Sequence, residues 1–119
     1  FRDVERKMLR DGFRLYPPLS RWMEGLTLRA IRLKGDIEKL NVKVVETHPT
    51  SSLKRIGFKG TRKPHDILNF VREKFNLKVN MIVNSIHVVD AIICALVALK
   101  AYHDECIVYR SFDGEIYLL

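Results

Sequence analysis

The longest run of apolar residues in this chain lies at residues 85–103, SIHVVDAIICALVALKAYH. Wound as a helix, this stretch has apolar side chains on every side, and a helix of that kind is normally buried. It is short for a membrane span and is closely flanked by polar residues. We therefore predict a helix over residues 85–103 that is buried in the core.

A single acid, Asp90, interrupts this apolar helix. The spacing of Ile86, Asp90, Ile93 and Val97 places the carboxylate on the same stripe as core residues. An aspartate is almost never buried without a partner. We therefore expect a cation, a hydrogen-bonding cap or a metal ion beside Asp90.

Apolar residues that recur every three or four positions predict further helices over residues 2–11, 21–40, 52–56 and 65–75. Ser20 and either Thr50 or Ser51 are the expected N-caps of the second and third of these helices. The helix over residues 21–40 is expected to bury one face. The residues of that face are Trp22, Leu26, Ala30, Leu33, Ile37 and Leu40.

Alternation of apolar and polar residues predicts a strand over residues 42–48. Asp113-Gly114 predicts the turn of a hairpin between residues 107–109 and 115–118. Together these elements predict an α/β or α+β layered fold in one domain, residues 1–119, with helices packed on a small sheet. A core strand needs neighbours on both sides, so further strands are expected upstream of Phe1 or from a partner chain.

The charge balance points toward a polyanionic partner. Lys and Arg number 21 against 14 acids, a net charge of +7, which is typical of proteins that bind nucleic acid. A basic protein from a hot environment remains an equal alternative.

Cys94 and Cys106 have no metal-motif spacing, and the absence of a signal peptide or membrane span favours a reduced, cytoplasmic protein without a membrane partner. The chain lacks an initiator Met, as a fragment would.

Glu46 and Asp90 form the first candidate site. Glu46 lies toward the carboxyl end of the predicted strand, where α/β sheets gather ligands, and Asp90 lies on the helix expected to pack over that sheet. Two such carboxylates can bind Mg²⁺, which in phosphodiester hydrolysis generates the attacking hydroxide. From spacing alone, the favoured alternative is that Glu46 is exposed and that Asp90 pairs with a Lys or Arg.

A second candidate site is a basic stretch in which five cations surround an aromatic residue, Phe58. The cations could contact phosphates and Phe58 could stack on a base. An ordinary solvated loop is the alternative. His48 and His87 are expected to be structural, since no two histidines have the spacing of zinc ligands. The basic residues are Lys54, Arg55, Lys59, Arg62 and Lys63.

Several of these segments, taken in order, suggest a family. The chain resembles domain-of-unknown-function family 429, whose members are predicted nucleases with a ribonuclease-H-like fold. The resemblance covers nearly the whole chain and includes an E-x-x-P after a strand and a D-A-x-x-C-A-L helix. Its segments are RDVERKMLRDGFRLYPP, LTLRAIRL, VKVVETHPTSSLKRIG, VVDAIICALVALKAYHDE and DGEIYLL.

This resemblance implies that Glu46 is the acid of the fourth sheet strand and Asp90 the acid of the last helix. With an Asp on the first strand, these residues would hold Mg²⁺ or Mn²⁺ for nucleic-acid cleavage. It also implies that five residues lie in segments near the cleft: Arg2, Asp3, Arg6, Pro17 and Pro18. The first three strands of the family are absent here, and His48 stands where the family commonly has Tyr.

We therefore expect the carboxyl-terminal part of a ribonuclease-H-like domain, a metal-dependent nuclease that is inactive as this fragment. The alternative is a non-catalytic module on the same scaffold that binds nucleic acid or protein. A third expectation is a homodimer in which exposed sheet edges pair between copies, because unpaired edges invite such pairing.

Overall fold

The computed structural model describes all 119 residues and has five helices followed by a two-stranded antiparallel sheet. The α/β class predicted from the sequence is confirmed. None of the helices combines the length and apolar character needed to cross a bilayer. The elements are α1 (Asp3–Arg10), α2 (Glu24–Glu38), α3 (Pro49–Arg55), α4 (Pro64–Phe75), α5 (Ile86–Tyr102), β1 (Ile107–Ser111) and β2 (Gly114–Leu118).

The chain divides into two units. The first contains residues Phe1–Glu46 and Val108–Ile116, and the second contains Thr47–Ile107 and Tyr117–Leu119. Each unit therefore draws on two separate stretches of sequence.

In the first unit, α1 buries Val4 and Met8 completely. Its N-terminus is capped by Asp113 from the hairpin turn. The Asp113 carboxylate accepts hydrogen bonds from the backbone N–H groups of Asp3 at 2.6 Å and Val4 at 3.2 Å. These donors have no partner inside the helix, so a carboxylate from elsewhere in the chain completes the helix end.

The cap changes the acidity of Asp113. Desolvation alone would raise the pKa of this carboxyl, but the hydrogen bonds from the Asp3 and Val4 amides favour the charged form and outweigh it. The pKa of Asp113 consequently lies below its ordinary value.

In the second unit, α5 packs against both α3 and α4. One face of α5 is buried, whereas Val88 is 41% and Leu99 54% exposed. The prediction that α5 is buried on every side is therefore wrong. The buried apolar residues from the three helices are Leu53, Ile67, Leu68, Val71, Val89, Ile93, Leu96 and Val97.

Two other predictions of burial and pairing are also wrong. The helix expected over residues 21–40 begins only at Glu24, after turns at residues 17–23, and none of its residues is buried. Residues 42–48 form no strand. Their single ladder contact is a parallel bridge between Thr47 and Tyr117. An alternating pattern yields a strand only where a neighbour runs alongside, and β2 is paired with β1.

The short helix α3 has a different cap from the one predicted. His48 is its N-cap, and Nδ1 of His48 accepts a hydrogen bond from the backbone N–H of Ser51 at 3.3 Å. The predicted end of this helix is confirmed, because Gly57 follows with a φ of 96°. Helices α1, α4 and α5 and the C-terminal hairpin lie within one or two residues of their predicted positions.

Candidate functional site

Glu46 lies in the first unit, where Arg2 holds its carboxylate. Arg2 Nη1 donates to Oε2 of Glu46 at 3.0 Å, and Nη2 donates to Oε1 at 2.5 Å. The same guanidinium contacts Oε1 of Glu5 at 2.7 Å through Nη2, and Glu5 is only 4% exposed. Arg2 thus bridges a buried and a half-exposed acid, and the hydrogen bond to Glu46 raises the pKa of Arg2 above its ordinary value.

The start of α1 fixes the position of Arg2. Arg2 is the N-cap residue, and Oε2 of Glu5 accepts a hydrogen bond from its backbone N–H at 2.8 Å. This is the return bond of a capping box, here with an arginine in place of the usual Ser or Thr. The sequence places Glu5 in the first helical turn but gives no signal for the contact with Glu46, which is 44 positions away.

Asp90 lies in the second unit and has an arginine of its own. Arg62 Nη2 donates to Oδ1 at 2.8 Å and to Oδ2 at 2.6 Å. The prediction that Asp90 needs a partner is confirmed, and of the three kinds considered the partner is a cation. The side chain is 26% exposed, so its predicted burial among core residues is wrong. Because α5 is buried on one face only, a loop arginine can reach this flank.

Neither Glu46 nor Asp90, taken alone, fits a divalent cation, because an arginine occupies both oxygens of each carboxylate. The chain has no group of three or more His, Cys, Asp or Glu side chains able to hold a metal ion. The expectation of Mg²⁺ or Mn²⁺ therefore stays a prediction from the resemblance.

The five cations of the basic segment (Lys54, Arg55, Lys59, Arg62 and Lys63) are all exposed. No acid occurs between Thr47 and His65. Arg55 Nη1 donates to the backbone oxygen of Leu119 at 2.5 Å, and Arg62 pairs with Asp90. Lys59 and Lys63 form no ion pair. Two charges of this segment are thus left uncompensated.

A groove of about 160 Å³ runs beside the basic segment. Phe58 is half-buried there and packs on Phe70 with ring centroids 5.2 Å apart. Gly60 lies so close that a Cβ added to it would be 2.9 Å from Cζ of Phe58. The Phe58 ring therefore lies between Phe70 and Gly60 at the groove wall. The groove is lined by Thr50, Leu53, Lys54, Phe58, Gly60 and Arg62.

The histidines and cysteines have no metal-binding arrangement. His48 caps α3, which confirms its structural interpretation, and His87 is exposed on the first turn of α5. Cys94 and Cys106 are both free. Burial raises the pKa of the Cys106 thiol, whose Sγ lies 3.5 Å from the carbonyl oxygen of Val97. Neither cysteine adds a ligand to the candidate sites.

No family model matches the chain, and comparisons with curated proteins and with solved structures find no match either.

Proposed function

We propose that the second unit binds the phosphate backbone of nucleic acid through the basic segment, without cleaving it. The observation that carries this proposal is the pair of exposed, unpaired lysines, Lys59 and Lys63, beside an arginine held in place by Asp90. The segment contains no acid to neutralise them. Such a surface attracts a polyanion and releases its condensed counterions on binding.

Arg62 is the most specific part of this surface. Only its Nη2 contacts Asp90, so the remaining guanidinium donors face an exposed environment and can bind a phosphate oxygen. In this proposal Asp90 is a positioning residue. It orients Arg62 at the rim of the groove and does not touch the nucleic acid.

The nuclease expected from the resemblance remains the second candidate. Glu46 and Asp90 would be its metal ligands, and a ribonuclease-H-like fold with further strands would complete the site. In the structure both carboxylates are occupied by arginines, and for this reason the binding module is preferred.

The test is fluorescence anisotropy of labelled single strands and duplexes at several salt concentrations. With three phosphate contacts we expect log K to fall against log salt with a slope of about −2 to −3. Lys59→Ala/Lys63→Ala should reduce the magnitude of this slope by about 2. Lys74→Ala/Lys78→Ala is the matched control, because it removes two exposed lysines from the same unit outside the segment, and it should retain nearly the full slope.

Equal weakening by both double variants, or the absence of salt-dependent binding, would contradict the proposal. The same reactions with added Mg²⁺ or Mn²⁺ separate the two candidates. The binding module leaves the strands intact, whereas metal-dependent cleavage that Asp90→Asn abolishes would establish the nuclease instead.

A further inference from the structure

The apolar stripe of α2 is the largest feature that the nucleic-acid surface leaves unexplained. Leu26 is 54%, Leu33 59% and Leu40 74% exposed, and no residue of the helix is buried. The stripe alternates intervals of three and four residues, the a/d pattern of helices that pair side by side. This α2 seam consists of Leu26, Ala30, Leu33 and Ile37 within the helix, together with Met23 at its N-cap and Leu40 just beyond its C-cap. Met23 and Ile37 are half-buried.

We propose that the α2 seam is a self-association surface, on which α2 of a second copy packs antiparallel about a two-fold axis near residues 31 and 32. In this register Leu26 meets Ile37 of the second copy, and Ala30 meets Leu33 of the second copy. The end layers join Met23 to Leu40. Each apolar residue of the seam therefore finds an apolar partner.

The charges beside the seam favour pairing with a second α2 helix and favour the antiparallel over the parallel direction. Arg29 and Asp36 lie on one flank, at the positions next to a, and Lys34 lies on the other. In the antiparallel pair, Arg29 faces Asp36 of the second copy, and the symmetry repeats this contact. A parallel pair would instead place Arg29 against Lys34 twice. The antiparallel arrangement also aligns the two helix dipoles favourably.

The ion pair that Asp36 forms within the first unit does not prevent this pairing. The side chain of Asp36 is 63% exposed and its present partner, Lys39, lies 3.6 Å away. An exposed pair of this kind contributes little, so Asp36 can exchange partners. A two-fold contact closes on itself and stops at a dimer. Because α2 is only about 22 Å long, the interface is small, and we expect a dissociation constant on the order of 10 μM.

The test is the molar mass of the whole protein, measured by light scattering and sedimentation equilibrium over a range of concentrations that brackets this constant. Leu33→Glu should raise the dissociation constant at least about tenfold, since it places a charge in the central layer. Leu99→Glu is the matched control, because Leu99 is a similarly exposed leucine of α5, and it should leave the constant unchanged.

A charge exchange tests the direction of the pair. Arg29→Asp should weaken the dimer, and Arg29→Asp/Asp36→Arg should restore it with the charges reversed. Circular dichroism would confirm that each variant keeps its helices. A monomer mass at every concentration overturns the proposal, as does a dimer that survives Leu33→Glu, which is the behaviour expected of association through sheet edges. Failure of the double variant to restore the dimer overturns the antiparallel register.

Discussion

At the scale of single residues, three charged side chains organise the first unit and the site. Arg2 joins two acids, Arg62 orients itself on Asp90, and Asp113 caps a helix that lies 110 positions away in sequence. In each contact a charged side chain either pairs with an opposite charge or accepts hydrogen bonds from backbone N–H groups. Changing the charge state of any one of them should therefore have a measurable effect.

Asp113 provides the clearest dependence on pH. Its pKa is lower in the folded protein than in the unfolded chain, so the unfolded state binds more protons and the stability from the cap rises with pH. This contribution is present above the unfolded pKa of about 3.9 and is lost as the pH falls through the folded value. Asp113→Asn should therefore lower the melting temperature at pH 7.

Thermal melts across the acid range check this prediction. The difference between wild type and Asp113→Asn should shrink steadily as the pH falls below about 4. Asp104→Asn serves as the control, because Asp104 is exposed and follows α5, and it should melt like the wild type throughout. A difference that stayed constant with pH would show that the charge of Asp113 does not stabilise α1.

At this scale the sequence predicts which side chain requires a partner better than it predicts which residue that partner is. An acid on an apolar helix requires compensation, and that requirement could be predicted for Asp90. The identity of its partner could not, because Arg62 is 28 positions away and lies in a loop whose path has no periodic signal. The link from Arg2 to Glu46 was missed for the same reason.

At the scale of elements, α5 is the centre of the second unit because it packs against both α3 and α4. Ile93 is completely buried in this contact. Ile93→Ala should therefore lower the free energy of unfolding by about 2–5 kcal/mol through lost transfer energy and a residual cavity. Chemical denaturation would measure this. Val88→Ala, on the 41% exposed side of the same helix, should cost less than about 1 kcal/mol.

Two glycines should respond to the same substitution with opposite signs. A Cβ at Gly35, in exposed α2, meets no atom within 4 Å, so Gly35→Ala should stabilise the protein by about 0.5–1 kcal/mol. Gly57 has a φ of 96°, so Gly57→Ala should destabilise it by about 1–2 kcal/mol. Urea unfolding of the two variants provides the comparison, and equal effects would contradict both backbone arguments.

The helices could be predicted because their period, caps and terminal glycines are local properties of the sequence. The burial of α2 and the strand pairing of residues 42–48 could not be predicted, because both depend on which other part of the chain packs against them. The stripe of α2 has the spacing of a packed face and yet contacts no core. The same pattern thus correctly predicted the helix but wrongly predicted that its apolar face is buried.

At the scale of the whole molecule, the net charge of +7 indicated a polyanionic partner but did not locate the surface. The position followed from a second property of the sequence, the absence of acids between Thr47 and His65. Only the structure shows which cations are unpaired. Arg55 donates to the backbone oxygen of Leu119 and Arg62 pairs with Asp90, whereas Lys59 and Lys63 form no ion pair.

The interleaving of the two units has a consequence for synthesis on the ribosome. The first unit needs residues 108–116, and the second needs Tyr117–Leu119. Neither can complete its packing until the hairpin has emerged, although α1 to α5 are made earlier. A nascent chain that stalls before residue 108 would lack Asp113, which caps α1, and Leu119, whose backbone N–H donates to Oγ of Ser52. Completion of both units therefore depends on residues 108–119.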